Sequence, residues 1–223
     1  MTEATAPAGR TASRGRIDKR RAILDAAFTV FARRGYGQAC VKEIAEVAGV
    51  AKPTVYNHLN DKETLFRHAM EAAADTVMAE NLAAVERLRE PGDDLRAALE
   101  DMAYRMLLVC CDERGRALRW LTYAQVARFP DLIEAVQGRT SNRLGEALAD
   151  RLARLSLSGR LRPCDPEAAA EQLLALLTGP METRSRLGTR EVPAAETRAV
   201  AKAAVDTFLR AYGAADVLET TGG

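Results

Sequence analysis

Apolar positions recur every three or four residues along nearly the whole chain, and nowhere do they alternate one by one. That period puts side chains on one face of a helix, whereas a strand needs a period of two. The expected fold class is all-α. Ile23, Leu24, Ala27, Phe28 and Phe31 form a stripe that predicts a first helix over about Ile17–Arg34, ended by Gly35. Val41, Ile44, Ala45 and Ala48 predict a short second helix. Gly49 follows as a turn residue, since glycine takes a left-handed backbone without steric cost, and Val50 is placed to plug the corner. Pro53 suits the first turn of a third helix, where its missing N–H is not needed. Val55 and Leu59 face inward from that helix.

Cys40–Leu65 therefore reads as a helix-turn-helix running into a fourth helix. Lys52, Thr54, Tyr56, Asn57 and His58 are left outward, a set of donors suited to phosphates and base edges in a major groove. An ordinary helix pair with a solvated face has the same pattern, so spacing alone does not decide for DNA. Charge adds to the picture. Residues 1–67 carry 12 Lys+Arg against 7 Asp+Glu, and residues 68–223 carry 20 against 24, within an overall net of +1. The positive field lies on the half that bears the helix-turn-helix, as phosphate attraction requires.

The fourth helix is predicted to start at an Asp61 cap, with Glu63 in its first turn, and to run through Met78 and Leu82 to about Glu90, where Pro91-Gly92 stops it. At ~28 residues it would measure ~42 Å and join the head to everything downstream. Further helices are expected from the Asp93-Asp94 cap to Cys111, over Arg116–Phe129, from Pro130 to about Ser158, from Pro166 to about Leu187, and from Pro193 to about Tyr212. Gly179-Pro180 should kink or break the penultimate one. Leu173, Leu174, Leu176, Leu177, Val200, Ala204, Phe208 and Leu209 on the last two helices look like more apolar surface than one protomer can cover. They predict a four-helix bundle with a second copy, and two heads ~34–36 Å apart on a palindrome.

With 48% hydrophobic and 28% charged residues among 223, the composition is that of a globular protein. The expected divisions are a flexible basic arm over 1–15, a DNA-binding head over 16–66, a ligand-binding and dimerisation domain over 67–215, and a tail over 216–223. Arg10, Arg14 and Arg16 on the arm could add phosphate or minor-groove contacts. No apolar run approaches the ~20 residues of a membrane span, and no apolar segment follows the basic N-terminus, so a cytoplasmic location is expected. The four cysteines have neither metal nor disulfide spacing; Cys110 and Cys111 read as helix-core residues, with a thiol sensor as the alternative. His58 and His68 sit in no metal motif. No nucleotide or nucleophile motif occurs, and the pairs Asp93-Asp94 and Asp112-Glu113 fall at helix ends as caps. No metal, cofactor or catalytic activity is expected.

From Arg20 to Leu65 the chain resembles the DNA-binding region of the TetR family of bacterial transcriptional regulators. The matching positions are Ile23-Leu24, Ala26-Ala27, Phe31, Gly35, Val41, Ile44-Ala45, Ala48-Gly49-Val50, Thr54-Val55-Tyr56, His58-Leu59 and Lys62-Glu63-Thr64-Leu65. Two departures are Cys40, where the family usually has Thr or Ser as a helix cap, and Ala51, where it often has Ser. The resemblance implies that Tyr56, His58 and Lys62 meet phosphates and that Lys42, Lys52 and Thr54 read bases, with Pro53 and Asn57 completing the contact set. Arg119–Ile133 resembles the regulatory domain of one subgroup. An effector cavity between helices four to seven is implied as well. Met78, Leu82, Met102, Met106, Leu107, Trp120, Tyr123 and Phe129 are the candidate lining for an apolar or aromatic molecule. The reading is a homodimeric regulator, a repressor, released from a palindromic operator by that effector. The alternative is a helical small-molecule-binding or scaffold protein that does not read DNA.

Overall fold

The computed structural model describes residues 9–138 and 142–214, with the side chains of that range except those of residues 9–16 and His58. The arm before Gly9, the side chains of Arg10, Arg14 and Arg16, and the tail over 216–223 therefore lie outside the described residues. Among the described residues the regular structure is helical, and the only pairing of β type is an isolated antiparallel bridge between Leu161 and Gly213. Two compact units divide between Ala73 and Ala74.

The first unit holds α1 (Gly9–Gln38), α2 (Val41–Val47), α3 (Lys52–His58) and the start of α4 (Lys62–Glu86). α1 begins at Gly9, so Gly9–Gly15 is helical where the composition predicts a flexible arm. Its helical backbone is interrupted at Gly35 (φ 73, ψ 161), the residue predicted to end it, before a last turn to Gln38. The predicted stripe is the core: Ile23, Ala27 and Phe31 are fully enclosed, with Leu24 and Phe28 nearly so. Phe31 meets Phe66 edge-on at 4.9 Å between ring centres, and Tyr36 meets Phe66 at 5.0 Å. Such pairs add about 0.5–1.5 kcal/mol each beyond area burial, and here they tie α1 to the first turns of α4. Glu43 on α2 takes Arg33 at 2.5 Å and Arg34 at 3.3 Å, which pins the end of α1 to α2. Partial desolvation pushes its carboxyl pKa up, but hydrogen bonds from Arg33 and Arg34 outweigh that and hold it below the ordinary value.

The second unit holds the rest of α4, a 3-10 turn at Arg87–Arg89, α5 (Leu95–Cys111), α6 (Glu113–Gln125), α7 (Pro130–Gln137), α8 (Arg143–Leu157), α9 (Pro166–Arg184) and α10 (Ala194–Tyr212). Aspartates open three of these helices. Asp94 accepts from Ala97 N, Asp112 from Gly115 N, and Asp165 from Glu167 N and Ala168 N. The Asp112 cap starts α6 three residues before the predicted Arg116. α7 and α8 cover the segment predicted as one helix, with right-handed helical backbone at Gly138 and Asn142 on either side of residues 139–141, which are outside the described residues. α9 runs through Pro180 unbroken, where a kink or break is predicted. Pro180 has no N–H to offer the carbonyl of Leu176, so α9 continues to Arg184 with that one ladder bond missing.

α10 packs on α5 and α9, and α8 packs on α9. Their shared core contains Met102, Met106, Leu107, Leu152, Leu173, Val205 and Phe208. This corrects the predicted dimer surface. Leu173, Leu177, Val200, Ala204, Phe208 and Leu209 are each at most 4% exposed within a single protomer, so their partners are α5 and α8, and only Leu174 and Leu176 keep partial exposure.

Candidate functional site

The head presents its chemistry on α3. Gly49 has φ +65, and Val50 N bonds Ala45 O at 3.0 Å while Gly49 N bonds Glu46 O at 3.2 Å. These paired bonds close the end of α2 and turn the chain into α3. A side chain at position 49 would meet nothing within 4 Å, so backbone angle and not space requires the glycine. Ala51 and Cys40, the residues preceding α3 and α2, supply no side-chain cap bond. α3 buries Val55 (1% exposed) and Leu59 (3%) and leaves Lys52, Pro53, Tyr56 and Asn57 exposed, with Thr54 half-buried. The Lys52 ammonium stands 5.8 Å from the centre of the Tyr56 ring, so a cation and a phenol share one outward face. The side chain of His58 lies outside the described residues.

Two of the predicted contact residues are placed differently from that face. Lys42 is exposed on α2, 3.8 Å from Glu46 one turn on, a pair too solvated to hold it. Lys62 is half-buried: its Nζ donates to Gly37 O at 3.0 Å and stands 5.0 Å from the Tyr36 ring centre. It closes the end of α1 as a structural residue, whatever else its remaining donors do.

The second unit contains an open cavity of about 1050 Å³. Of the eight residues predicted to line it, only Tyr123 does so. Met78, Met102, Met106, Leu107 and Phe129 are buried in side-chain packing, while Leu82 and Trp120 are half-buried away from the wall. The physical reason is that apolar periodicity marks which face is covered, not whether a void or a neighbouring helix covers it. The cavity wall is instead amphipathic. Val77, Leu118, Val136, Leu144 and Leu174 supply apolar surface; Asn81, Arg119, Thr122, Thr178 and Glu171 supply polar groups. Glu167, Glu171, Leu174, Thr178 and Glu182 recur along one side of α9, a polar stripe that pattern reading assigns to solvent and that could have pointed here.

Across the cavity, Tyr123 on α6 donates its hydroxyl to Glu182 Oε1 on α9 at 3.2 Å. Burial, then the Glu182 charge, raise the Tyr123 pKa, so it stays a neutral donor. Arg119, one turn earlier, donates Nη1 to Ser185 Oγ at 3.1 Å and Nη2 to Cys110 O at 3.3 Å, and Nη2 also touches Cys110 Sγ. Among the described residues no three His, Cys, Asp or Glu side chains gather into a metal-binding cluster, and no helix is long and apolar enough to cross a membrane.

Comparison with known proteins assigns both units. Residues 23–69 match the family model described as bacterial regulatory proteins, tetR family, and residues 97–214 match the AefR-like transcriptional repressor C-terminal domain. A crystal structure from Mesorhizobium loti, of a protein assigned to the TetR-family transcriptional regulators, superposes with a TM-score of 0.81 at 33% identity, covering 89% of this chain and 98% of that one. The transcriptional regulator RutR of Escherichia coli strain K12 is 28% identical over 167 residues, 75% of this chain and 76% of its own. The transcriptional activator FasR of Mycolicibacterium smegmatis is 36% identical over 85 residues, which span only 39% of its length.

Proposed function

We propose, from the premise that this chain belongs to the TetR family of bacterial transcriptional regulators, that it is a repressor binding a palindromic operator as a homodimer and released when a small molecule fills the cavity of its second unit. It is a DNA-binding regulator and not an enzyme. The observation that carries the reading is α3, which buries Val55 and Leu59 and holds Lys52, Tyr56 and Asn57 outward. In this reading Lys52, Thr54 and Lys42 face base edges, Tyr56 and the backbone near Pro53 face phosphates, and Lys62 and His58 add charge beside them. Repression is favoured by the AefR-like repressor description of residues 97–214.

One head offers few base contacts, so two copies are needed. The surface left for pairing is the outward side of α10, where Ala195, Ala199, Ala203 and Thr207 are exposed at four-residue spacing, beside Gln172, Ala175 and Gly179 on α9. Small side chains let helices approach closely across a two-fold axis. The effector is an amphipathic organic molecule. Its body lies on Leu118, Val136 and Leu174, and its polar end on the Tyr123–Glu182 and Arg119 side. The protein works in the cytoplasm, where its DNA is.

The test is a mobility-shift titration of the full chain on a duplex from the chain's own upstream region, at several salt concentrations. Binding that weakens steeply with salt, and weakens selectively in Lys52→Ala and Tyr56→Phe, is the expected result. A folded dimer that does not shift the duplex at low salt, or shifts every sequence equally, would leave the helical scaffold reading in its place.

A further inference from the structure

Cys110 is the last residue but one of α5 and forms part of the cavity wall. Its Sγ touches the Arg119 guanidinium, its carbonyl accepts from Arg119 Nη2, and it is half-buried rather than sealed. The Cys111 thiol lies between Cys110, to which it donates, and Thr197 of α10, and its side chain packs against the core. We propose that Cys110 is a nucleophile in the effector cavity, and that the effector is an α,β-unsaturated carbonyl compound captured there as a covalent adduct.

The assignment deepens the effector reading and rests on it. Four features converge. Cys110 lines a space of about 1050 Å³, enough for an organic electrophile with its carbon body on Leu118, Val136 and Leu174. The guanidinium of Arg119 supplies fixed positive charge at the sulfur. A hydrogen bond from the Cys111 thiol is the largest effect on Cys110, and with the Arg119 charge it outweighs burial and the opposing Asp112 carboxylate, bringing the Cys110 pKa down to about 7; Cys111 is pushed up in turn and keeps its proton. Arg119 also bonds Ser185, which is fully enclosed at the end of α9 and followed by three residues of positive φ, Arg186, Leu187 and Gly188.

In the step itself the thiolate sulfur attacks the β-carbon. The S–C bond forms as the C=C π bond breaks, the electron pair moves to the carbonyl oxygen as an enolate, and the α-carbon takes a proton from water. No oxidant is consumed. Bulk on Sγ displaces the guanidinium that rests there, and Arg119 carries that change to Ser185 and the turn between α9 and α10. Arg119 is thus a positioning residue.

The probe is N-ethylmaleimide, applied to the full chain carrying Cys40→Ser so that no thiol remains in the DNA-binding unit. Peptide mapping at pH 7 should find Cys110 labelled about fivefold or more faster than Cys164, with a pH–rate midpoint near 7. Labelling should weaken duplex binding ~5-fold or more. Cys110→Ser should bind DNA normally and be insensitive. Arg119→Ala should move the midpoint upward, and Arg119→Lys should restore part of it, a shift that a merely structural role would not produce. Slow labelling of Cys110, labelling without loss of DNA affinity, or release by hydrogen peroxide but not by the maleimide would each overturn the proposal. If a non-covalent amphiphile released DNA from both wild type and Cys110→Ser while the maleimide had no effect, the effector cavity would stand and the nucleophile would fall. If unlabelled protein bound no duplex, the regulatory reading itself would fail.

Discussion

Lys62 Nζ donates to the Gly37 carbonyl oxygen at 3.0 Å, joining the first turn of α4 to the end of α1. A lysine in a DNA-binding head invites a purely electrostatic reading, yet this one satisfies a backbone acceptor that the helix end leaves open. Lys62→Ala should therefore lower stability by ~1 kcal/mol, a charged hydrogen bond discounted for partial exposure, and lower Tm by a few degrees. Tyr56→Phe, by contrast, should leave the urea midpoint unchanged and weaken DNA binding by ~1–3 kcal/mol. Equal urea midpoints for wild type and Lys62→Ala would refute the structural role.

Gly115 sits where α6 turns back on the end of α5. A Cβ there would stand 2.2 Å from the carbonyl oxygen of Val109, which is backbone and cannot move alone. Gly115→Ala should cost ~1–3 kcal/mol by overpacking. Denaturant unfolding followed by Trp120 emission, the only tryptophan, checks it; a wild-type midpoint would mean the α5–α6 corner opens freely.

The proposed dimer separates two neighbouring alanines. Ala204 is 4% exposed in one protomer, so Ala204→Glu should destabilise the fold itself by burying an unpaired charge. Ala199 is exposed on the outward side of α10, so Ala199→Arg should leave helicity intact and halve the mass by light scattering. An Ala199→Arg variant that remains a dimer would move the interface off that face of α10.

Asp61 accepts from Thr64 N at 2.7 Å and from Thr64 Oγ1 at 3.1 Å, and these bonds hold its pKa below the ordinary carboxylate value. A depressed folded-state pKa contributes stability that is present above the unfolded value of ~3.9 and is lost as pH falls through the folded one. The difference in Tm between wild type and Asp61→Asn should thus shrink as pH drops from 6 to 3. A difference that stays constant would show that the carboxylate charge plays no part in the cap.

The head was legible in the sequence because its determinants are local. Gly49 at the turn, Val55 and Leu59 one helical turn apart, and Asp61 three residues before Thr64 each act within a few residues, and all lie where pattern and cap chemistry place them. The extent of α1 beyond the apolar stripe, back to Gly9, had no such signal, since a helix needs no core contact to continue through Ala, Ser and Arg.

What only the tertiary structure decided lies in the second unit. The sequence put Met102, Met106 and Leu107 on the wall of a cavity and Val200, Ala204 and Phe208 on a dimer face, and all are buried in the packing of one protomer. It could not say which inward faces meet each other, which meet a second copy and which meet a void, because those depend on how six helices pack and not on any one of them. α5 settled against α10, so the methionines became core, and the cavity opened instead beside the polar side of α9, between Tyr123, Arg119 and Cys110. The chain by itself determined the helices and the helix-turn-helix, through spacings that act over one or two turns, and its resemblance to the TetR family marked the head as DNA-binding. The cavity proposed for the effector depends on how these helices pack, and the contacts that join Cys110, Arg119 and Ser185 at its edge link residues that no local pattern brings together.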